Sequence, residues 1–115
     1  MQVNELVEKM LKPLGYPITE NQFIPYADKP VPSPPYIVYV ISSESTDGSD
    51  LNPADLLNID INIEFYSDRR DRISEKQIER ALSKNHFDFE KSYVYIDSEE
   101  LHKTTYYITL INKEL

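Results

Sequence analysis

The sequence predicts a single α+β domain, in which two helices pack on a mostly antiparallel sheet of four or five strands in the order α-(β)-β-β-α-β-β. Three observations predict this class. Apolar and polar side chains alternate strictly along residues 59–66, which indicates a strand with one buried face. Residues 2–12 and 75–84 carry apolar side chains at helical spacing. The 115 residues suffice for one core but not for two ordinary domains, so we expect residues 1–115 to form one domain.

The first predicted helix covers residues 2–12 and has one apolar stripe. This stripe consists of Val3, Leu6, Val7, Met10 and Leu11. Pro13 and Gly15 follow the stripe, and we expect them to end the helix.

A proline-rich connector follows the first helix. Residues 16–35 hold six of the eight prolines, and proline fixes φ and has no amide donor, so we expect extended backbone on the surface. The stretch "QFIPY", residues 22–26, is a candidate for a short edge strand. The stretch "PVPSPP" could instead bind a proline-recognising domain, but a stiff loop is the favoured interpretation.

The central part of the chain predicts two strands joined by a polar loop. Residues 36–41 are apolar on both faces, which is typical of a strand in the middle of a sheet. Residues 42–55 are polar and contain Gly48 and Pro53, so we expect a mobile loop. The strand at 57–66 should place its apolar side chains in the core. The expected contacts join Ile59, Ile61, Ile63 and Phe65 to Leu6, Met10, Ile78 and Leu82.

The second helix is predicted at residues 75–84. Ser74 is in position to cap its N-terminus, Gln77 would complete a capping box, and Ile73 would pack on Ile78 across the cap. The buried stripe is expected to contain Ile78, Ala81 and Leu82. Two more strands, 92–97 and 104–112, should follow, with "SEELHK" as their connection.

Composition excludes several classes of function. Twenty acidic and twelve basic residues give a net charge of −8, which disfavours free nucleic acid as a ligand. The absence of cysteine excludes disulfides, thiolate metal sites and cysteine nucleophiles. The sequence contains no long apolar run, and its first residues lack a signal-peptide core, so we expect a soluble cytosolic protein without a membrane partner.

The only candidate metal site is "HFDFE", in which His86, Asp88 and Glu90 would share one face of an extended segment. Stable metal sites usually need more ligands and a second shell, so a solvated helix end is the favoured interpretation. With two glycines in the chain, no phosphate-binding loop is available. No nucleophile motif is present either. We therefore expect no enzyme, no catalytic residues and no cofactor.

The densest positive charge is at residues 69–72. Arg69, Arg70 and Arg72 are three of the four arginines in the chain. Interleaved aspartates weaken a phosphate-binding interpretation, whereas arginine is enriched at protein interfaces because it makes bidentate pairs with carboxylates. We expect these arginines to contact another copy, with Asp60 and Glu64 among the acceptors. A solvated turn remains the alternative.

The order of elements, with Pro35-Tyr36 opening a strand and "IDINIEFYS" ending in an aromatic residue before a polar turn and helix, resembles the tail-terminator (tail-completion, head–tail joining) proteins of long-tailed bacteriophages and prophages. The resemblance covers nearly the whole chain. It implies a homo-oligomeric ring, commonly a hexamer, that caps the tail tube and contributes to the head–tail connection in the virion tail.

The same resemblance implies the partners of the chain. They are other copies of itself, the tail tube protein and a head-completion protein, with DNA only passing through the channel and assembly taking place in the bacterial cytoplasm. Channel- or partner-facing candidates in the polar loop are Glu44, Asp47, Asp50 and Asp55. Two alternatives stay open: a small acidic binding module of the immunity or anti-restriction type, and a small hydrolase or metal enzyme that would depend on "HFDFE" alone.

Overall fold

Five strands form one mixed sheet, and two helices cover one of its faces. The computed structural model describes residues 2–25, 30–45 and 58–111. The elements are α1 (Val3–Leu11), β1 (Ile18–Glu20), β2 (Tyr36–Ser45), β3 (Asn58–Ser67), α2 (Arg72–Lys84), β4 (Glu90–Ile96) and β5 (Leu101–Ile111). The predicted α+β class is therefore confirmed.

The strands lie in the order β1-β2-β3-β5-β4, so β1 and β4 are the two edges of the sheet. β1 is parallel to β2, and every other neighbouring pair is antiparallel. β2 and β3 shift register between Ile41 and Ser43, which is a bulge-like irregularity in their ladder.

The core lies between the helices and the sheet, as the alternation along β3 predicts. Ile59, Ile61, Ile63 and Phe65 are each exposed by no more than 1%. They belong to one cluster with Met10, Ile78 and Leu82, and Leu6 packs against its margin. Burial of a side chain of this size contributes about 1.5–3 kcal/mol, so this layer accounts for much of the domain's stability.

The end of α1 agrees with the sequence, whereas the start of α2 does not. A single 3₁₀ turn, Lys12–Leu14, leads to Gly15, whose φ of 90° is the left-handed conformation that favours glycine. The residue that caps α2 is Asp71, because its carboxylate accepts the Ser74 amide at 3.0 Å. The predicted Ser74 cap is wrong.

The predicted hydrophobic contact across the α2 cap is also wrong, because Ile73 is 76% exposed. Ser74 has a different role from the predicted one: its hydroxyl donates to Asp71 and accepts from Tyr16. The bond from Tyr16 ties the start of α2 to the segment that follows α1, and the bond to Asp71 is local to the cap.

Several strand limits differ from the predictions. The edge strand is Ile18–Glu20 instead of residues 22–26, of which 22–25 form no strand. β2 continues past Ile41 to Ser45, because the β3 backbone pairs with it as far as Asn58. The first part of the predicted loop, 42–45, is therefore strand, and residues 46–57 lie outside the described ranges. β4 and β5 begin earlier than predicted and are joined by Asp97–Glu100 alone.

Candidate interaction surface at the free edge of the sheet

The edge strand β4 is the most exposed regular element in the described part of the chain. It pairs with β5 on one side, and no described strand pairs with its other side. Three consecutive side chains, Tyr93, Val94 and Tyr95, are 38%, 51% and 45% exposed. An edge that combines unpaired backbone groups with exposed apolar side chains can pair with another chain.

An ordered stack of side chains lies on the helix side of this edge. The Arg70 guanidinium carbon is 3.8 Å from the centroid of the Tyr93 ring. The Tyr93 ring stacks on His102 at 5.8 Å between centroids, and the Tyr95 ring is tilted against His102 at 4.9 Å between centroids. The Tyr93 hydroxyl also shares a hydrogen bond with His102 Nδ1. We call these four residues, Arg70, Tyr93, His102 and Tyr95, the aromatic ladder.

A buried carboxylate fixes the position of the ladder. Glu75, in the first turn of α2, is 1% exposed. Arg70 donates to both of its carboxylate oxygens, with Nε at 2.8 Å and Nη2 at 3.2 Å. The Lys91 ammonium from β4 lies 2.9 Å from Glu75 Oε1. Burial alone would raise the pKa of Glu75, but the hydrogen bonds from Arg70 and Lys91 outweigh burial and lower that pKa below its ordinary value.

The charged network extends from Glu75 to the second acid of α2. Lys91 lies 2.7 Å from Glu79 Oε2, and the Tyr106 hydroxyl donates to the same oxygen at 2.9 Å. Burial lowers the pKa of Lys91, but the hydrogen bonds to Glu79 and Glu75 outweigh it, so the net shift is upward. Burial and the bond to Glu79 raise the pKa of the Tyr106 hydroxyl. The network connects α2, β4 and β5, and it holds the free edge rigidly against the helix.

The predicted arginine cluster divides into one paired and two unpaired residues. Arg70 is paired with Glu75, and this bond raises the pKa of the guanidinium. Arg69 and Arg72 are exposed, and neither forms an ion pair within the described ranges. The proposed contact between copies therefore depends on Arg69 and Arg72.

The two predicted acceptors lie on the sheet face opposite to the helices. Glu64 accepts from the Tyr66 hydroxyl at 2.9 Å and lies 3.7 Å from the Lys103 ammonium. Asp60 accepts from the Thr109 hydroxyl at 2.8 Å. The arginines follow the end of β3, so one copy does not bring them together with these acids. The other candidate acids, Asp47, Asp50 and Asp55, lie outside the described residues, and Glu44 is described only as backbone of β2.

The "HFDFE" segment lies between α2 and β4. Its three polar side chains, His86, Asp88 and Glu90, are exposed and line an open groove of about 720 Å³ together with Asp60 and Tyr107. Within the described ranges, no three His, Asp or Glu side chains are grouped so that they could hold a metal ion.

Sequence reasoning missed Tyr93, Val94, Tyr95 and His102. The ladder joins residues from the β3–α2 connection, β4 and β5, which are far apart in sequence. The available signal was the run "YVY" in a predicted strand: apolar side chains on both faces require a central strand or an exposed edge. The chain order did not decide between these two positions.

The comparison with models of known protein families and with curated protein sequences found no match in either set. Neither helix in the described ranges has the length and apolar content needed to cross a bilayer.

The chemistry of this edge suits recognition of another protein. Tyrosine and arginine are enriched among the residues that contribute most to protein interfaces. Stacking and the Glu75 network have already ordered the ladder side chains, so binding would lose little conformational entropy there. The backbone of β4 adds hydrogen-bonding groups for an incoming strand or loop.

Proposed function

We propose that the chain is a structural subunit of the tail-terminator type, which assembles into a ring that caps a phage tail tube and forms part of the head–tail connection. The observation that carries this proposal is the free edge at β4. Val94 is exposed there, and so are Tyr93 and Tyr95 of the aromatic ladder. An exposed apolar edge is a liability for a monomer, whereas a subunit that joins identical copies can use it for pairing.

The two edges of the sheet differ, which is compatible with a ring built from unlike surfaces. A contact between unlike surfaces generates a closed ring or an open filament, whereas a two-fold dimer uses the same surface twice. β4 is long and exposed, and the opposite edge, β1, has three residues. We therefore propose that β4 meets a different surface of the neighbouring copy.

The acidic composition is consistent with a channel through which DNA passes. A net charge of −8 repels phosphate, so a duplex would slide through such a ring without binding tightly. The order of elements supports the same proposal, since the described α+β architecture is the one that the resemblance to tail-terminator proteins implies. In this proposal the tail tube protein and a head-completion protein contact the two sides of the ring in the virion tail.

Native mass spectrometry and negative-stain microscopy of the full chain test the proposal directly. We expect one closed oligomer, commonly a hexamer, with a central channel. Co-sedimentation with purified tail tubes should then show binding, and microscopy of the same mixture should show the ring at the tube end. A stable monomer or two-fold dimer at all concentrations would contradict the proposal and would favour the acidic binding module instead.

A further inference from the structure

A groove runs between α1 and α2 on the solvent side of the helices. Its volume is about 660 Å³. The apolar part of its lining consists of Leu6, Met10, Pro13, Leu14 and Ala81. The groove therefore offers apolar surface that the two helices leave uncovered.

The charged part of the groove lining is entirely basic. Lys9, Arg80 and Lys84 line it, and no acidic side chain does. All three are exposed, and none forms an ion pair within the described ranges. In a chain with a net charge of −8, three unpaired cations around an apolar floor are a local reversal of the overall charge. We call this feature the basic groove.

The connection between β4 and β5 has the complementary chemistry. It contains three exposed acids, Asp97, Glu99 and Glu100, and none of them forms an ion pair within the described ranges. Half-buried Ile96 and Leu101 flank these acids and supply apolar surface. We call the segment Asp97–Glu100 the acidic turn. Its hydrogen bond from the Glu100 amide to the Asp97 carbonyl, at 3.2 Å, makes it a compact projection.

The basic groove and the acidic turn of one copy lie too far apart to meet. The groove follows the second half of α2, and Phe89, just before β4, lies beside Arg80 and Ser83 of that half. The acidic turn comes after the other end of β4, and at about 3.3 Å per residue a strand of seven residues spans roughly 20 Å. An acidic turn that enters a basic groove must therefore belong to another copy.

We propose that the basic groove of each copy receives the acidic turn of the next copy. Charge complementarity favours this occupant: three acids and three cations that form no ion pair within the described structure meet, and apolar flanks meet an apolar floor. The contact joins unlike surfaces, so it propagates in one direction around an assembly. This inference rests on the proposed ring, and it identifies the surface of the next copy, the basic groove, that the turn at the end of β4 would meet.

A charge-swap experiment with the full chain tests this contact. The groove variant carries Lys9→Glu, Arg80→Glu and Lys84→Glu, and the turn variant carries Asp97→Lys, Glu99→Lys and Glu100→Lys. Alone, each variant places like charges in the contact, so we expect its assembly to weaken by about tenfold or more in apparent dissociation constant. In an equimolar mixture, the acidic turn of the groove variant meets the basic groove of the turn variant. The basic turn of the turn variant likewise meets the acidic groove of the groove variant, so the mixture should assemble.

The matched control reverses three acids that lie away from both the acidic turn and β4, Glu5→Lys, Glu20→Lys and Asp88→Lys, which changes the net charge as much as the turn variant does. Sedimentation velocity measures assembly, and circular dichroism checks that each variant is folded. If wild-type protein assembles but both swap variants assemble equally well, or if the mixture of folded variants fails to recover, the contact is wrong while the ring stands. If wild-type protein stays monomeric, both proposals fail.

Discussion

The two edge strands of the sheet differ in length and in the residues that would prevent further strand pairing. β1 contributes only Ile18–Glu20, and Asn21, with a φ of 68°, ends its ladder. Prolines at 17 and 25 flank this edge, where they limit further pairing. β4 is seven residues long. Its one lysine, Lys91, points toward α2 and forms ion pairs with Glu75 and Glu79.

Natural sheets usually protect both edges, with short strands, prolines or charges. Here β1 is short and flanked by prolines, whereas no described segment covers Tyr93–Tyr95 of β4. In the proposed assembly, this difference leaves β4 open for a partner. It also explains the position of the Glu75 network, which makes an exposed edge rigid without covering it.

Loss of the network should have the largest effect. Replacement Glu75→Gln leaves Arg70 and Lys91 beside a neutral amide, so we expect the free energy of unfolding to fall by about 3 kcal/mol in urea denaturation. The control is Glu5→Gln, on the exposed side of α1, which should stay close to wild type. A loss below about 1 kcal/mol for Glu75→Gln, the value typical of an exposed pair, would show that the edge does not depend on this carboxylate.

The same carboxylate predicts a pH dependence. The folded-state pKa of Glu75 is lowered from its ordinary value of 4.5, so the unfolded state binds the proton more tightly. The stability that Glu75 contributes is therefore fully present above pH 4.5 and is lost as the pH falls through the lower folded-state pKa. Across this range, the melting temperature should depend more steeply on pH for wild type than for Glu75→Gln. If the melting temperatures of the two proteins change with pH in parallel, the pH dependence does not come from Glu75.

The core could be predicted from the sequence because its signal is local and repeated. The alternation of Ile59, Ile61 and Ile63 fixes the buried face of β3 whatever the other strands do. The helix cap was predicted at Ser74 although the side chain of Asp71 can also cap a helix, and a tertiary bond to Tyr16 fixes the role of Ser74.

The candidate site was harder to predict, because it depends on which strand lies at the edge. Chain order gives no sign that β5 inserts between β3 and β4, and only this arrangement exposes Tyr93 and brings Arg70 onto it. β1 could not be predicted, because three residues are too few to show the alternation of apolar and polar side chains that marks a strand. The arginines were recognised from sequence, but the internal role of Arg70 required the position of Glu75.

A charge placed on the open edge should reduce assembly without unfolding the subunit. Val94 is 51% exposed on β4 and lies opposite Lys103, so Val94→Glu should change the free energy of unfolding by no more than about 0.5 kcal/mol while placing a charge where a strand would approach. Thr19→Glu, on the same sheet face at β1, is the control and should leave assembly unchanged. Light scattering measures assembly. If the Thr19 variant assembled more weakly than the Val94 variant, β1 would be the edge in use.

The smallest effect is expected from Arg69 and Arg72, which form no ion pair in the described part of the chain. Arg69→Glu with Arg72→Glu should weaken assembly modestly and leave each subunit folded, since exposed pairs contribute about 0–1 kcal/mol each. High salt should reproduce part of the loss. Arg70→Glu should instead destabilise the subunit, because it places a carboxylate beside Glu75. If the double variant assembles like wild type at every salt concentration, the two arginines belong to a solvated turn.

Hydrogen exchange followed as a function of protein concentration tests the difference between the edges most directly. Backbone amides of β4 that point away from β5 have no partner in the described structure, so we expect them to exchange rapidly in dilute protein. As concentration rises, exchange across Glu90–Ile96 and the acidic turn should slow, while exchange across β1 stays constant. Exchange at β4 that does not change with concentration, or slowing at β1 in its place, would contradict the claim that β4 is the edge through which copies join.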